Sequence, residues 1–195
     1  MSDARVKTNL PTAFGDFTIY AFEDSREGQP HLALVHKDCD ISTTVPIRLH
    51  SECLTGDVFK SKRCDCGEQL ELSMHYISRH PGILIYLRQE GRGIGLINKL
   101  KAYNLQDEGL NTFEANEHLG FEPDERDFDI AIEILTSLGV TSIDLITNNP
   151  KKIDIFENSA VKLRKRITLP IEKNDQNKKY LEAKRDVMGH FIHFD

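Results

Sequence analysis

The sequence predicts an α/β fold: a single domain over residues 1–195, in three α/β/α layers with a mixed β-sheet. Three observations lead there. Short strand-like patterns alternate with helical ones along the chain. The segment Ile83–Leu87, ILIYL, is continuously apolar, as in a strand covered on both faces. It runs straight into RQEGRGIGL and a helical stretch, and strand, glycine-rich turn, helix is the order that aims backbone N–H groups at a phosphate. No internal repeat, low-complexity run or linker divides the chain.

Taken in order, Phe17, Ile19 and Ala21 alternate within residues 13–22 as in a half-buried strand, and residues 23–30, EDSREGQP, read as an exposed connection. Two short strands are expected at His31–His36 and Val45–Leu49, with Cys39 on the loop between them. After Gly67 the period changes: Leu70, Met74 and Ile77 recur at helical spacing until Pro81-Gly82 stops the run. A second helix is expected over Leu96–Leu105, followed by polar, irregular chain over residues 106–122. A helix from about Pro123 to Leu138 would turn Phe128, Ala131, Ile134, Leu135 and Leu138 inward, with Pro123 in its first turn and Gly139 at its C-terminal cap. A strand follows at Ile143–Thr147, and Asn148-Asn149-Pro150 caps a short helix opening at Lys151. Val161–Ile167 alternates apolar and basic residues, as an edge strand does. The last helix spans Lys178–Met188 and ends at Gly189.

Composition narrows the function classes. With 39% hydrophobic and 29% charged residues the chain is an ordinary globular one, and its net charge of −6 argues against a non-specific nucleic-acid binder. The opening MSDARVKTNLP has no apolar core of a secretory signal, and no run reaches the length of a membrane span. The expected setting is therefore cytoplasmic, with no membrane or nucleic-acid partner and with cysteines reduced and open to metal. Two disulfides are the alternative, although Cys64 and Cys66 stand too close in sequence for a secreted framework.

Four stretches carry candidate chemistry. Arg48–Gly67, RLHSECLTGDVFKSKRCDCG, holds Cys53, Cys64 and Cys66. Three thiolates with one position left open describe a catalytic zinc site, whereas a fourth ligand from Cys39 or His50 would make it structural. An open site lowers the pKa of bound water to about 7. Next, Arg88–Gly95, RQEGRGIG, matches neither the Rossmann fingerprint nor a Walker A loop. It reads either as a plain tight turn or, with Arg88 and Arg92 flanking it, as an anion site. PDERD at 123–127 offers acids for a helix start and a salt-bridge partner in Arg126. TNNPKK, Thr147–Lys152, suits a phosphate or a simple cap equally well.

Read together, RLHSECLTGD, RCDCG, RQEGRGIGL-NK, AY-LQD, EAN, DERDF, TNNPKK and MGH closely resemble the stand-alone form of GTP cyclohydrolase II, over about Pro11 to His190. The resemblance implies a zinc ion, one per subunit, on Cys53, Cys64 and Cys66. It implies GTP contacts at Arg48, Leu49, His50, Ser51, Glu52, Gln69, Glu90, Gly91, Arg92, Thr112, Thr147 and Lys152. Asp124 matches the position assigned as proton acceptor, Arg126 the assigned nucleophile toward the α-phosphorus, and Tyr103 a tyrosine associated with complete turnover. Also implied are a homodimer, Mg²⁺ on the triphosphate, and hydrolysis of GTP with three waters to formate, pyrophosphate and 2,5-diamino-6-(ribosylamino)-pyrimidinone 5′-phosphate. A guanidinium has no free lone pair, so Arg126 reads better as a stabiliser of phosphate charge than as a nucleophile. Two rivals remain at this stage. His50-Ser51-Glu52 satisfies the H-x-E of a zinc deaminase, but its P-C-x-x-C partner is absent. The other rival is a binding module in which metal only fastens a loop.

Overall fold

The computed structural model describes residues 4–22, 28–122, 124–170, 176–186 and 188–191. Its frame is a seven-stranded mixed sheet in the order β1-β2-β3-β5-β4-β6-β7. The strands are β1 (Ala4–Thr12), β2 (Gly15–Phe22), β3 (His31–His36), β4 (Val45–Ser51), β5 (Ile83–Leu87), β6 (Ser142–Ile146) and β7 (Lys162–Ile167). From β1 through β5 neighbours run antiparallel, and β5, β4, β6 and β7 run parallel. The helices are α1 (Leu54–Asp57), α2 (Cys66–Arg79), α3 (Gly95–Asp107), α4 (Thr112–His118), α5 (Asp129–Ser137), α6 (Lys151–Asp154) and α7 (Lys178–Asp186).

Side-chain alternation on the central strands divides the core in two. Ile83, Ile85 and Leu87 face α5, packing with Ile47, Leu49, Ile143 and Leu145 against Phe128, Ala131, Ile134 and Leu135. Leu84 turns to the other face, where Phe17 and Ile146 meet Met74 and Ile77 of α2. The sheet is thus covered on both faces, the three-layer arrangement expected. The handedness of parallel crossovers accounts for this. The connection from β4 through α2 moves to one neighbour of β4, and the connection through α5 returns to the other, so the two helices fall on opposite faces. The C-terminal ends of β4, β5 and β6 therefore finish side by side, and the crevice outside such ends is where α/β sheets bind ligands.

One strand has no counterpart in the expectations, and two expectations change. Residues 4–12 form β1, which is almost wholly exposed and so shows no apolar alternation; its backbone pairing with β2 holds it. Residues 112–118, expected to be irregular, form α4, whose N-cap Asn111 and Glu114 make a reciprocal capping box. The helix expected from Pro123 begins only at Asp129. Asp124 and Asp127 use their carboxylates on the N–H groups of Arg126 and Asp129, a local bonding that competes with helix. Pro123 itself, and residues 23–27 of the expected connection, lie outside the described residues.

Candidate active site

Cys53 follows β4, Cys64 precedes α2, and Cys66 is the first residue of α2. Their sulfurs all lie within 4.8 Å of one another, with Cys53 and Cys64 3.7 Å apart. Tetrahedral zinc with sulfur at about 2.3 Å requires sulfurs roughly 3.8 Å apart, so the donor set fits the ion. Gly56 makes the cradle possible, since a Cβ there would stand 3.0 Å from Cys64 Sγ and 3.2 Å from Cys53 Sγ. Neither residue considered as a fourth ligand joins the sulfurs among the described residues. Cys39 packs beside the α5-face core, where burial pushes its thiol up to about 11. His50 is spoken for by Asp57, whose two oxygens lie 3.0 and 3.1 Å from Nε2. Asp57 also accepts from the Cys53 N–H at 3.0 Å and from the Tyr86 hydroxyl at 2.7 Å, so one carboxylate fixes the start of the cysteine loop. The H-x-E reading loses its support, because His50 is a buttress rather than a member of the metal cluster.

The sulfurs open into a cavity of about 1010 Å³, counting its open mouth, and its wall is rich in cations: Arg48, Arg92, Lys99, Arg126, Lys152 and Lys184. Arg92 is the most telling. Its backbone is left-handed, at φ 64°, within a turn where Gly91 and Gly93 are also at positive φ. Its guanidinium lies 5.2 Å from the Phe113 ring centre and 5.8 Å from that of Tyr180. Both terminal nitrogens are buried without a hydrogen-bond partner. A half-buried cation whose buried donors are unused beside a cavity is arranged for an anion. Lys152 donates to the Leu49 carbonyl at 2.8 Å; burial, then Arg48, Arg126 and Lys184, hold its pKa well below the usual lysine value. Burial, then Lys184, Arg126, Lys152 and Arg92, push His190 down to about 3.

A family model described as GTP cyclohydrolase II matches residues 3–168. The chain belongs to the GTP cyclohydrolase II family. It is 51% identical over 187 residues to a GTP cyclohydrolase-2 of Buchnera aphidicola subsp. Schizaphis graminum, covering 95% of each chain. It is 50% identical over 187 residues to the GTP cyclohydrolase-2 of Picrophilus torridus, covering 95% of this chain and 97% of that one. A riboflavin biosynthesis protein RibBA of Chlorobium phaeovibrioides is 52% identical over 188 residues, but there the match spans 96% of this chain and 46% of the relative. The resemblance seen in the sequence motifs is borne out at the level of the family.

Within this GTP cyclohydrolase II frame, the cavity wall includes Arg48, His50, Ser51, Glu52, Gln69, Gly91, Arg92, Tyr103, Thr112, Arg126, Thr147 and Lys152 from the expected contacts. Three others stand back from it. The Leu49 side chain is fully buried in the core and only its carbonyl turns toward Lys152. Glu90 is buried against Lys99 at 2.7 Å and accepts from the Leu54 N–H at 2.6 Å. Asp124 sits behind Arg126, gripping its guanidinium through Nε at 2.7 Å and Nη2 at 2.8 Å. Burial opposes the charges of that pair, but the bidentate bond and the attraction of nearby opposite charges together outweigh it, so Asp124 is held below and Arg126 above its ordinary pKa. Tyr103 shares a hydrogen bond of 3.3 Å with Thr55 beside the cluster.

The sequence reading gave no role to several wall residues: Lys99, Asn148, Asn149, Tyr180, Lys184 and His190, although four of them stand in the motif segments ending NK, TNNPKK and MGH. A signal existed for α7 and the turn beyond it, since Tyr180, Lys184 and Met188 recur every four residues and all three reach the cavity, although the helix ends at Asp186 rather than at Met188 as expected. Lys184 donates to Asp65 at 2.6 Å, and Asp65 in turn accepts from Gln69, which accepts from Arg48 at 2.6 Å. A chain of hydrogen bonds thus links α7, the cysteine loop and β4. Among the described residues, no helix is long and apolar enough to cross a membrane.

Proposed function

We propose that this chain carries out its family's reaction, opening the imidazole ring of GTP and releasing formate and pyrophosphate as the first step of riboflavin biosynthesis. The observation that carries the reading is the meeting of the three-cysteine cluster and the two unpartnered terminal nitrogens of Arg92 in one cation-walled cavity. A purine placed over the sulfurs leaves its phosphates among Arg92, Arg126 and Lys152. Cys53, Cys64 and Cys66 would hold zinc, which when bound supplies Lewis-acid activation of water near neutral pH. The triphosphate would bring Mg²⁺ with it, whose charge would offset that developing as pyrophosphate leaves.

The residues' work follows from their surroundings. Three waters are consumed overall: two account for removal of C8 as formate, and one cleaves the bond between the α- and β-phosphates. Arg48, fixed by Gln69 and by the Ile146 carbonyl at 3.1 Å, is positioned to orient the nucleotide. Arg126, kept protonated by Asp124, stabilises charge on the α-phosphate; an arginine whose pKa is raised is a still weaker nucleophile. Tyr103, beside Thr55 and the sulfurs, orients the group leaving the base. The active form is a cytoplasmic homodimer.

Incubating the zinc-loaded protein with GTP and Mg²⁺ tests the reaction. Formate and pyrophosphate in equal amounts, with a new pyrimidine absorbance, are expected; ammonia without formate would overturn the assignment. Trapping a guanylyl adduct on Arg126 would overturn its role, and an Arg126→Lys enzyme retaining much of its rate would support it.

A further inference from the structure

Lys99 carries no role in the resemblance, yet it is buried at the junction of the metal cluster and the anion-binding turn. Its Nζ lies 3.0 Å from Cys53 Sγ and 2.7 Å from Glu90 Oε1. The other oxygen of Glu90 accepts from the Leu54 N–H at 2.6 Å, one residue past the cysteine. Glu90 also accepts from the Gly91 N–H at 2.7 Å, at the start of the turn that bears Arg92. These bonds close a ring: thiolate, ammonium, carboxylate, and the backbone that follows the thiolate. Lys99 comes from α3, one turn into the helix, and Gly91 leaves room for it, since a Cβ there would stand 3.1 Å from Lys99 Cβ.

We infer that Lys99 is a positioning residue for the metal site, and that Glu90 serves this site rather than touching the nucleotide. The physical argument is charge and direction. Zinc on three thiolates carries one net negative charge, which weakens it as a Lewis acid. An ammonium hydrogen-bonded to one sulfur withdraws charge from that ligand, and such partners of a ligand commonly govern both affinity and reactivity. Because Glu90 begins the turn carrying Arg92, the same ring also sets the distance between the phosphate clamp and the metal. The role rests on the metal-dependent hydrolysis proposed above.

The test uses the full chain loaded with Co²⁺ or Zn²⁺, comparing wild type, Lys99→Met and the double variant Lys99→Met/Glu90→Gln. The double variant removes the ion pair without leaving a buried carboxylate alone, so a folding defect in the single variant is separable. Both variants are expected to bind one metal per chain and to lose it to a chelator about tenfold faster or more. The sulfur-to-cobalt charge-transfer band should move to lower energy, with kcat reduced. An unchanged band and unchanged release rate in the double variant would overturn the inference. Wild-type protein that takes up no metal overturns both this role and the proposed reaction. Metal uptake without formate release overturns the reaction alone, because the cobalt band still reads Lys99.

Discussion

Gly67 faces the backbone of Gly56 so closely that a Cβ on Gly67 would stand 2.2 Å from the Gly56 carbonyl oxygen. Here α1 rests directly on α2, and this contact brings Cys53, ahead of α1, to Cys64 and Cys66 at the head of α2. Gly67→Ala must force the two helices apart. Overpacking of this kind costs about 1–3 kcal/mol. The expected outcome is a lower Tm together with weakened metal retention, measured by thermal unfolding and by metal content after dialysis. A protein that loses stability but keeps full metal affinity would show that the helix contact does not set the sulfur geometry.

Removing the metal should separate chemistry from fold. The α5-face core contains none of the three ligands, so the chelated protein is expected to keep its far-UV circular dichroism and lose formate release. Stoichiometric Zn²⁺ should restore activity. Collapse of the dichroism on chelation would instead mark the metal as structural.

Binding of a triphosphate should take up protons. Lys152 is held below its ordinary pKa by burial and by Arg48, Arg126 and Lys184, and His190 is pushed down to about 3 by burial and by Lys184, Arg126, Lys152 and Arg92. An anion among those cations offsets their repulsion and raises both values. A group whose pKa rises on binding gains protons at pH values between its free and bound pKa. Titration calorimetry with a non-hydrolysable GTP analogue, in buffers of differing ionisation enthalpy, should register net uptake. Lys152→Met should diminish it.

His190 also makes a prediction for stability. Its folded pKa of about 3 lies below the unfolded value of roughly 6.5, so the unfolded chain binds the extra proton. The stability this neutral histidine preserves is complete above pH ~6.5 and declines as pH falls toward the folded value. His190→Asn should flatten that part of the curve, seen in urea midpoints measured across this range. An equally steep loss in the variant would assign the acid sensitivity elsewhere.

Lys184 belongs to the segment beyond the region the family model matches, yet it anchors Asp65 between two of the cysteines. Lys184→Met removes one side-chain partner of Asp65, leaving the bond from Gln69, and takes a cation from the cavity wall. We expect KM for GTP to rise by about tenfold, as for loss of one charged hydrogen bond, with a smaller change in kcat. Steady-state kinetics decides this, and an unchanged KM would place α7 outside substrate binding.

Much of this protein was legible in its residue order. Strand and helix periods in the core, such as ILIYL or Leu70, Met74 and Ile77, survive because burial enforces them. The motif segments, read together, identified the family. What escaped detection lacked a periodic signal: β1 is exposed and held by backbone bonds, and α4 depends on a capping box within a polar stretch. The delayed start of α5 reflects two aspartates bonding to their own backbone, a competition that apolar spacing does not register.

By itself, the sequence determined which chemistry was available: three soft sulfur donors, a glycine-rich turn with arginines, and an acid–arginine pair. Only the tertiary structure decided which of these groups meet. Parallel strands ending side by side brought residues from β4, the turn after β5 and the loop after β6 to one cavity. The same packing drew Glu90, Leu49 and Asp124 back from its wall and placed Lys99 against Cys53. Contacts of this kind join residues as much as 119 positions apart, as between Lys184 and Asp65, and no local propensity encodes them.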